Sequence, residues 1–225
     1  MVTIKIKILD LFCGLGGVAR GFQTYLIENG IDFEYHAVDI NPRILLAHKI
    51  INPYSLTIRR DAYSFTDEEL KKYDFIWASP PCETHSIAIL WKKEKPDMRL
   101  YELISKLYNL GKPFIVENVK PYYNPPIKPT SKVCRHRLWS NLKITPINLR
   151  LQSFHRVKDD VKTLIRYHEL NDVSKKILKI MGNVRKARDA LRDMVHWRIA
   201  YKIAEQVIPQ VMNGKRLHNS TLSDF

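Results

Sequence analysis

Residues 9–21, "LDLFCGLGGVARG", decide the architecture of the chain. The apolar run Ile4 to Leu9 reads as a strand, and Gly14, Gly16 and Gly17 break it ahead of a helix over Val18 to Glu28. Glycines at that junction let the backbone turn tightly and approach a bound molecule closely, so the turn is expected to face a nucleotide-like ligand. The pattern then repeats. "EYHAVDI" (34–40) reads as a second strand, and Asn41 as N-cap with Pro42 as first helical residue opens a helix through Ile51. Residues 55–59 form a short strand, and Thr66 with Glu69 has the spacing of a capping box. "YDFIWA" (73–78) is a fourth strand, Asp97 to Leu110 a helix closed by Gly111, and "KPFIVEN" (112–118) a fifth strand. This alternation predicts the α/β class, a doubly wound, mostly parallel sheet. Ligands in such sheets sit at the carboxyl ends of the strands, which puts Asp10, Asp39, Asp61, Cys82 and Glu117 on one rim.

With 225 residues, 45% of them hydrophobic, the chain suits one full core with an appended lobe. No apolar run approaches the roughly 18 residues a membrane span needs. The expectation is a soluble, cytoplasmic protein without a membrane partner. Richness in Ile, Lys, Asn and Tyr suits an AT-rich microbial or viral genome. Cys13, Cys82 and Cys134 are widely separated, with no Cys/His cluster beside them, so neither a disulfide framework nor a metal site is expected. Lys and Arg total 37 against 23 acidic residues, and a net charge of +14 is the footprint of a polyanion binder. The segment Lys128 to Arg188 holds 16 Lys/Arg and four acidic residues, 12 of those 14 charges. It follows "PYYNPPIKPT" (121–130), which is too rich in proline for regular structure and marks a boundary. Leu191, Met194, Val195, Ile199, Ala200, Ile203 and Val207 fall at helical spacing, predicting one amphipathic helix over 190–208 packed on the sheet; 213–225 reads as a frayed tail.

The chemistry lies in two loops. Gly14, Gly16 and Ala19 fit G-x-G-x-x-G/A, with Asp39 placed to hold ribose hydroxyls, so a nicotinamide dinucleotide also suits this turn. In "ASPPCETHS" (78–86) a double proline removes two backbone donors and fixes two φ angles. The result is a rigid loop past a strand end, able to present Cys82 to a planar substrate. A lone cysteine is most often a small buried hydrophobe. As a thiolate it is a strong nucleophile. "FIVENV" (114–119) carries Glu117 to the same rim, and a carboxylic acid beside a thiol suits addition to an electron-poor ring.

Together "DLFCGLGG" (10–17), "SPPCETHS" (79–86), "FIVENV" (114–119) and "RHR" (135–137) resemble, in order and spacing, the DNA cytosine-5 methyltransferases, over roughly residues 4 to 210. The resemblance implies a Rossmann-like fold that uses S-adenosylmethionine rather than NAD, with a small basic target-recognition lobe. It implies Cys82 as nucleophile to C6 of a flipped cytosine, Glu117 as proton donor to N3, and Arg135 and Arg137 holding the base or its phosphate. Phe12, Gly14 and Gly16 would surround the amino-acid part of the cofactor, Asp39 its ribose, Asp61 its adenine amine, and Pro80 the boundary between cofactor and base. Asp10 and Ile40 are counted with the same set. The implied organisation is a catalytic domain (1–138), a target-recognition region (139–182), a helix completing the catalytic domain (183–212) and a tail (213–225). The partner is double-stranded DNA, bound by a monomer. Four positions depart from the family pattern: Glu83 and Val133 where Gln is common, and Asp193 and His196 where Asn and Pro are common. Two other readings share these motifs: the tRNA-acting branch of the family, and a catalytically silent nucleic-acid-binding relative.

Overall fold

A computed structural model describes residues 5–86, 95–147, 149, 151 and 159–223, with side chains through residue 214. Seven strands form one sheet in the order β3-β2-β1-β4-β5-β7-β6. The first five are β1 (Ile6–Leu11), β2 (Phe33–Asp39), β3 (Ser55–Arg59), β4 (Phe75–Ala78) and β5 (Phe114–Val119), all mutually parallel. The helices between them are α1 (Gly17–Glu28), α2 (Pro42–Ile51), α3 (Asp67–Leu70) and α4 (Arg99–Leu110). The expected caps are in place: Asn41 accepts from the Arg43 amide, the Thr66–Glu69 capping box is reciprocal, and Gly111 closes α4 with φ of 70°.

β1 lies two residues later than its sequence suggests, and Ile4 falls outside the described residues. Leu11 still pairs with Val38 and Ala78, because Leu9 and Leu11 fill the core under α3 and α4. Side chains alternate along a strand, so Asp10 shares the face of Ile6 and Ile8, toward the opposite core beneath α1. It is 1% exposed, and therefore lies under the rim rather than on it.

Beyond the irregular stretch 121–130 the chain re-enters the sheet as a hairpin, β6 (Ser131–Val133) and β7 (His136–Ser140), both running antiparallel to their neighbours. The boundary drawn at 138/139 thus falls inside β7. Trp139, fully buried, donates to the Ile127 carbonyl (2.8 Å) and fastens the proline-rich stretch to the sheet.

The basic region continues as α5 (Val161–Tyr167), α6 (Ser174–Met181) and α7 (Val184–Asp193). Their apolar faces share a third core with Leu15, Ile44 and Ala47, so this small lobe sits on α2 and the glycine turn. The single helix expected over 190–208 is broken. α7 ends at Asp193, Met194 is extended, and α8 (Trp197–Ser223) begins anew, running through most of the stretch read as a tail. His196 caps α8: its carbonyl accepts from Ile199 and its Nδ1 from the Arg198 amide. Leu191 and Met194 belong to the lobe's core, whereas Val195, Ile199 and Val207 belong to the core under α1, so the continuous periodicity spans two helices serving two cores.

Candidate active site

The loop after β4 is tied down on both sides. The Trp77 indole donates to Ser79 Oγ (2.7 Å), and Asn118 of β5 donates to the Pro80 carbonyl (3.0 Å), locking the double proline against the neighbouring strand. The Cys82 carbonyl then accepts from the amides of His85 (3.0 Å) and Ser86 (3.1 Å), turning the chain sharply behind the cysteine. His85 Nδ1 stands 2.6 Å from the Tyr123 hydroxyl, which in turn lies 3.1 Å from that of Tyr101. Cys82 is partly buried, and its thiol is pushed up to about 12 by burial and by the negative charges of Asp193 and Glu117, against the favourable charge of Arg135. Cys82 is therefore a thiol at neutral pH. Iodoacetamide at pH 8 should label exposed Cys134 well ahead of Cys82. Labelling of Cys82, followed by peptide mass spectrometry, should still rise about tenfold per pH unit above pH 9, because the thiolate fraction is far from saturation. A plateau for Cys82 below pH 9 would contradict this picture.

Glu117, 7% exposed at the end of β5, meets His136 of β7, whose Nδ1 stands 2.6 Å from Oε1. Burial alone would push this carboxyl up. The His136 imidazole, a Ser79 hydrogen bond and the Arg135 charge together outweigh burial and hold it below the ordinary carboxylate range. The register explains the pairing: Glu117 lies opposite Leu138 and Val119 opposite His136, which places Glu117 and His136 on one face. Arg137 lies opposite Asn118, on the other face, and its guanidinium donates to the His136 carbonyl (3.4 Å). Of the two arginines expected at the base, only Arg135 exerts its charge on Cys82 and Glu117, and it also donates to the Arg192 carbonyl (3.3 Å). Arg137 is not brought to that cluster. The residue missed is His136, hidden between two arginines that drew the reading.

The glycine turn is built to stay open. Gly14, at φ of 52°, has no protein atom within 4 Å of the position a Cβ would take, and its amide donates to Asp39 Oδ2 (3.3 Å). Asp39 Oδ1 accepts from Asn41 (2.8 Å), and the carboxylate, which the Ile40 amide also favours, has acceptor capacity left for a ribose hydroxyl. Gly16 differs: at φ of 87° its Cβ would strike Asn52 Nδ2 at 2.1 Å, so the missing side chain there serves close packing. Beneath the turn a buried chain fixes its shape. Gln23 donates to Ser55 Oγ (2.7 Å), Ser55 faces His48 Nε2 (3.0 Å), and His48 Nδ1 donates to the Gly14 carbonyl (3.1 Å). Burial holds this imidazole down to about 4, so it is neutral. Ile40 is 67% exposed at the end of β2, and Asp61 is exposed with Oδ1 accepting from the Tyr63 amide. Phe12 stands edge-on to Tyr63. An open glycine, a carboxylate beside it, a bare aliphatic side chain and a second carboxylate could hold the amino-acid, ribose and adenine parts of S-adenosylmethionine. Asp10 takes no part in that surface: Tyr35 donates to its Oδ2 (2.9 Å), and burial pushes its carboxyl up to about 8. It supports the turn from below.

Among the described residues no group of His, Cys, Asp and Glu is arranged to hold a metal, and no helix is long and apolar enough to cross a membrane. Type II methyltransferase M.XorII of Xanthomonas oryzae pv. oryzae is 30% identical over 124 residues, covering 50% of this chain and 28% of that protein. The chain therefore matches well under a third of that relative's length. Among solved structures, a Spodoptera frugiperda DNMT2 variant superposes with a TM-score of 0.56 at 16% identity, over 90% of this chain and 99% of that one. S. pombe Dnmt2 superposes with a TM-score of 0.55 at 11% identity, over 92% and 99%. At such identities these two share its fold. A family model described as C-5 cytosine-specific DNA methylase matches residues 6–138, a span that holds the glycine turn, Cys82 and Glu117. The chain belongs to that family of S-adenosylmethionine-dependent cytosine-5 methyltransferases.

Proposed function

We propose that the chain methylates C5 of a cytosine flipped out of duplex DNA, through a covalent bond between Cys82 and C6. One observation carries the reading: the ends of adjacent parallel strands β4 and β5 bring a conformationally locked cysteine and a buried carboxyl close enough for the Glu117 charge to act on the Cys82 thiol. C5 of cytosine is a poor nucleophile. Cys82 Sγ bonds to C6, the ring electrons move through C4 to N3, and N3 takes a proton from Glu117, leaving C5 electron-rich. S-adenosylmethionine, when bound, supplies an electrophilic methyl group. Once C5 is methylated it loses its proton, and the Sγ–C6 bond breaks to restore the aromatic ring and the cysteine. A stacked base offers no access to C6, so the nucleotide must leave the helix at a cost of a few kcal/mol. Arg135 stands ready to neutralise charge on the extruded nucleotide. The basic lobe α5–α7 grips the backbone, serving as the target-recognition region, and α8 completes the catalytic domain.

Bisulfite sequencing of plasmid DNA from cells expressing the protein should show protected cytosines in a short sequence context. Purified protein should transfer labelled methyl groups to duplex DNA in preference to tRNA. Unprotected plasmid together with labelled tRNA would move the assignment to RNA.

A further inference from the structure

His136 has no role in the family motif as read from the sequence, yet its Nδ1 stands against the carboxylate of the proposed acid. Both side chains are buried, at 6% and 7% exposure, and the Nδ1 to Oε1 separation of 2.6 Å is at the short end for a charge-assisted hydrogen bond. The proposed chemistry requires Glu117 to release a proton to N3, whereas its surroundings favour the ionised carboxylate. A carboxylate has no proton to give. The proton must be held next to it, and Nδ1 of His136 is where the structure puts a donor.

Resting on the cytosine reading above, we infer that His136 and Glu117 act as one acid that shares a proton across the 2.6 Å contact, with His136 as the positioning and proton-holding residue for Glu117. As Sγ–C6 forms, the one shared proton passes from Nδ1 of His136 by way of the Glu117 oxygen to N3. The imidazolium becomes neutral imidazole, while the thiol proton leaves to water. On elimination N3 returns that proton through Glu117 to Nδ1, and the departing sulfur takes a proton back from water, so the pair ends each cycle as it began. Around the pair, Arg135 at the hairpin turn acts on the carboxyl, Cys82 lies on the loop after β4 with Asp193 at the end of α7 acting on it, and the Ser79 hydroxyl bonds the carboxylate. Ser79 Oγ already accepts from Trp77, so its own proton points to Glu117 and cannot replace that of His136.

The test is His136→Asn, whose amide can still donate to Glu117 but cannot deliver a proton. Its kcat should fall on the order of 10- to 100-fold, with duplex and cofactor affinities within about threefold. The alkaline limb of kcat against pH, where an acid is lost as pH rises, should also move by more than one unit. If either kcat or that limb matches the wild type, the shared-acid inference is overturned and His136 is structural. Should His136→Asn fail to fold, proton NMR of the wild-type protein replaces it. A far-downfield imidazole proton that disappears in Glu117→Gln is expected, and its absence from the wild type overturns the inference. A wild-type protein inactive on both DNA and RNA would instead overturn the functional reading, and the NMR experiment would still judge the pair.

Discussion

Cys82→Ser should lose methyl transfer by at least about a thousand-fold while binding cofactor and duplex within a few-fold of wild type. The serine hydroxyl is nearly isosteric, and the loop that carries it is held by Asn118, Trp77 and the two amide contacts to the residue-82 carbonyl, none of which involves the sulfur. Folding and binding should therefore survive. Nucleophilicity should not: removing the nucleophile of a covalent mechanism typically costs several orders of magnitude in rate. The high thiol pKa of the free enzyme does not argue against this role, because two of its causes are the charges of Asp193 and Glu117, and thiolate addition is coupled to proton delivery at N3. Labelled-methyl transfer measured beside equilibrium duplex binding separates the outcomes. Methylation retained within tenfold would remove Cys82 from the chemistry, and loss of binding in parallel would make the loop a structural element.

The sheet was legible because each turn into it announces itself with its own chemistry: glycines after β1, an Asn-Pro cap before α2, a capping box before α3 and a glycine after α4. The hairpin β6–β7 was not. Its two-residue turn is Cys134–Arg135, and Cys134 sits at φ of 52° where glycine or asparagine is the usual occupant, so no turn residue marked it. The same blind spot hid the active-site face of β7, since the choice of His136 over Arg137 beside Glu117 is a matter of register that only strand pairing fixes. Cys82, Glu117, Asp39 and Asp61 were legible because a strand's carboxyl end can be read from its apolar run. Asp10 was misplaced because β1 runs on to Leu11, which takes Asp10 inside the strand, where the alternation it shares with Ile6 and Ile8 points its side chain to the core. The break at 194–196 was illegible for a different reason: Val195 must place its carbonyl where a Cβ on Gly17 would come within 1.9 Å, a contact between segments almost 180 residues apart.

The lobe gives the second large expected effect. Lys162, Arg166, Lys175, Lys176, Lys179, Arg185 and Lys186 are all exposed, and none has an ion-pair partner among the described residues. The lobe is also joined to the catalytic rim: Arg135 binds the Arg192 carbonyl, Arg43 of α2 binds that of Met181 (3.3 Å), and Asp193 acts on Cys82. A duplex presenting a flipped base to Cys82 would therefore lie against these cations. Each phosphate they neutralise releases condensed counterions, contributing about −0.9 to the slope of log affinity against log salt, so six or more contacts should weaken binding on the order of a thousand-fold between 50 and 200 mM salt. Replacing one of Lys175, Lys176 or Lys179 by Gln should flatten the slope by roughly 0.9 and weaken binding to all sequences alike. Lys71 and Lys72 precede β4, at the amino ends of the strands and away from the rim, so their replacement should leave the slope unchanged. Equal effects from the two groups would mean that the protein binds DNA as a diffuse polycation, and the lobe would lose its role. Tighter binding to tRNA than to duplex at matched salt, with the lobe lysines still dominant, would keep the surface and change its partner.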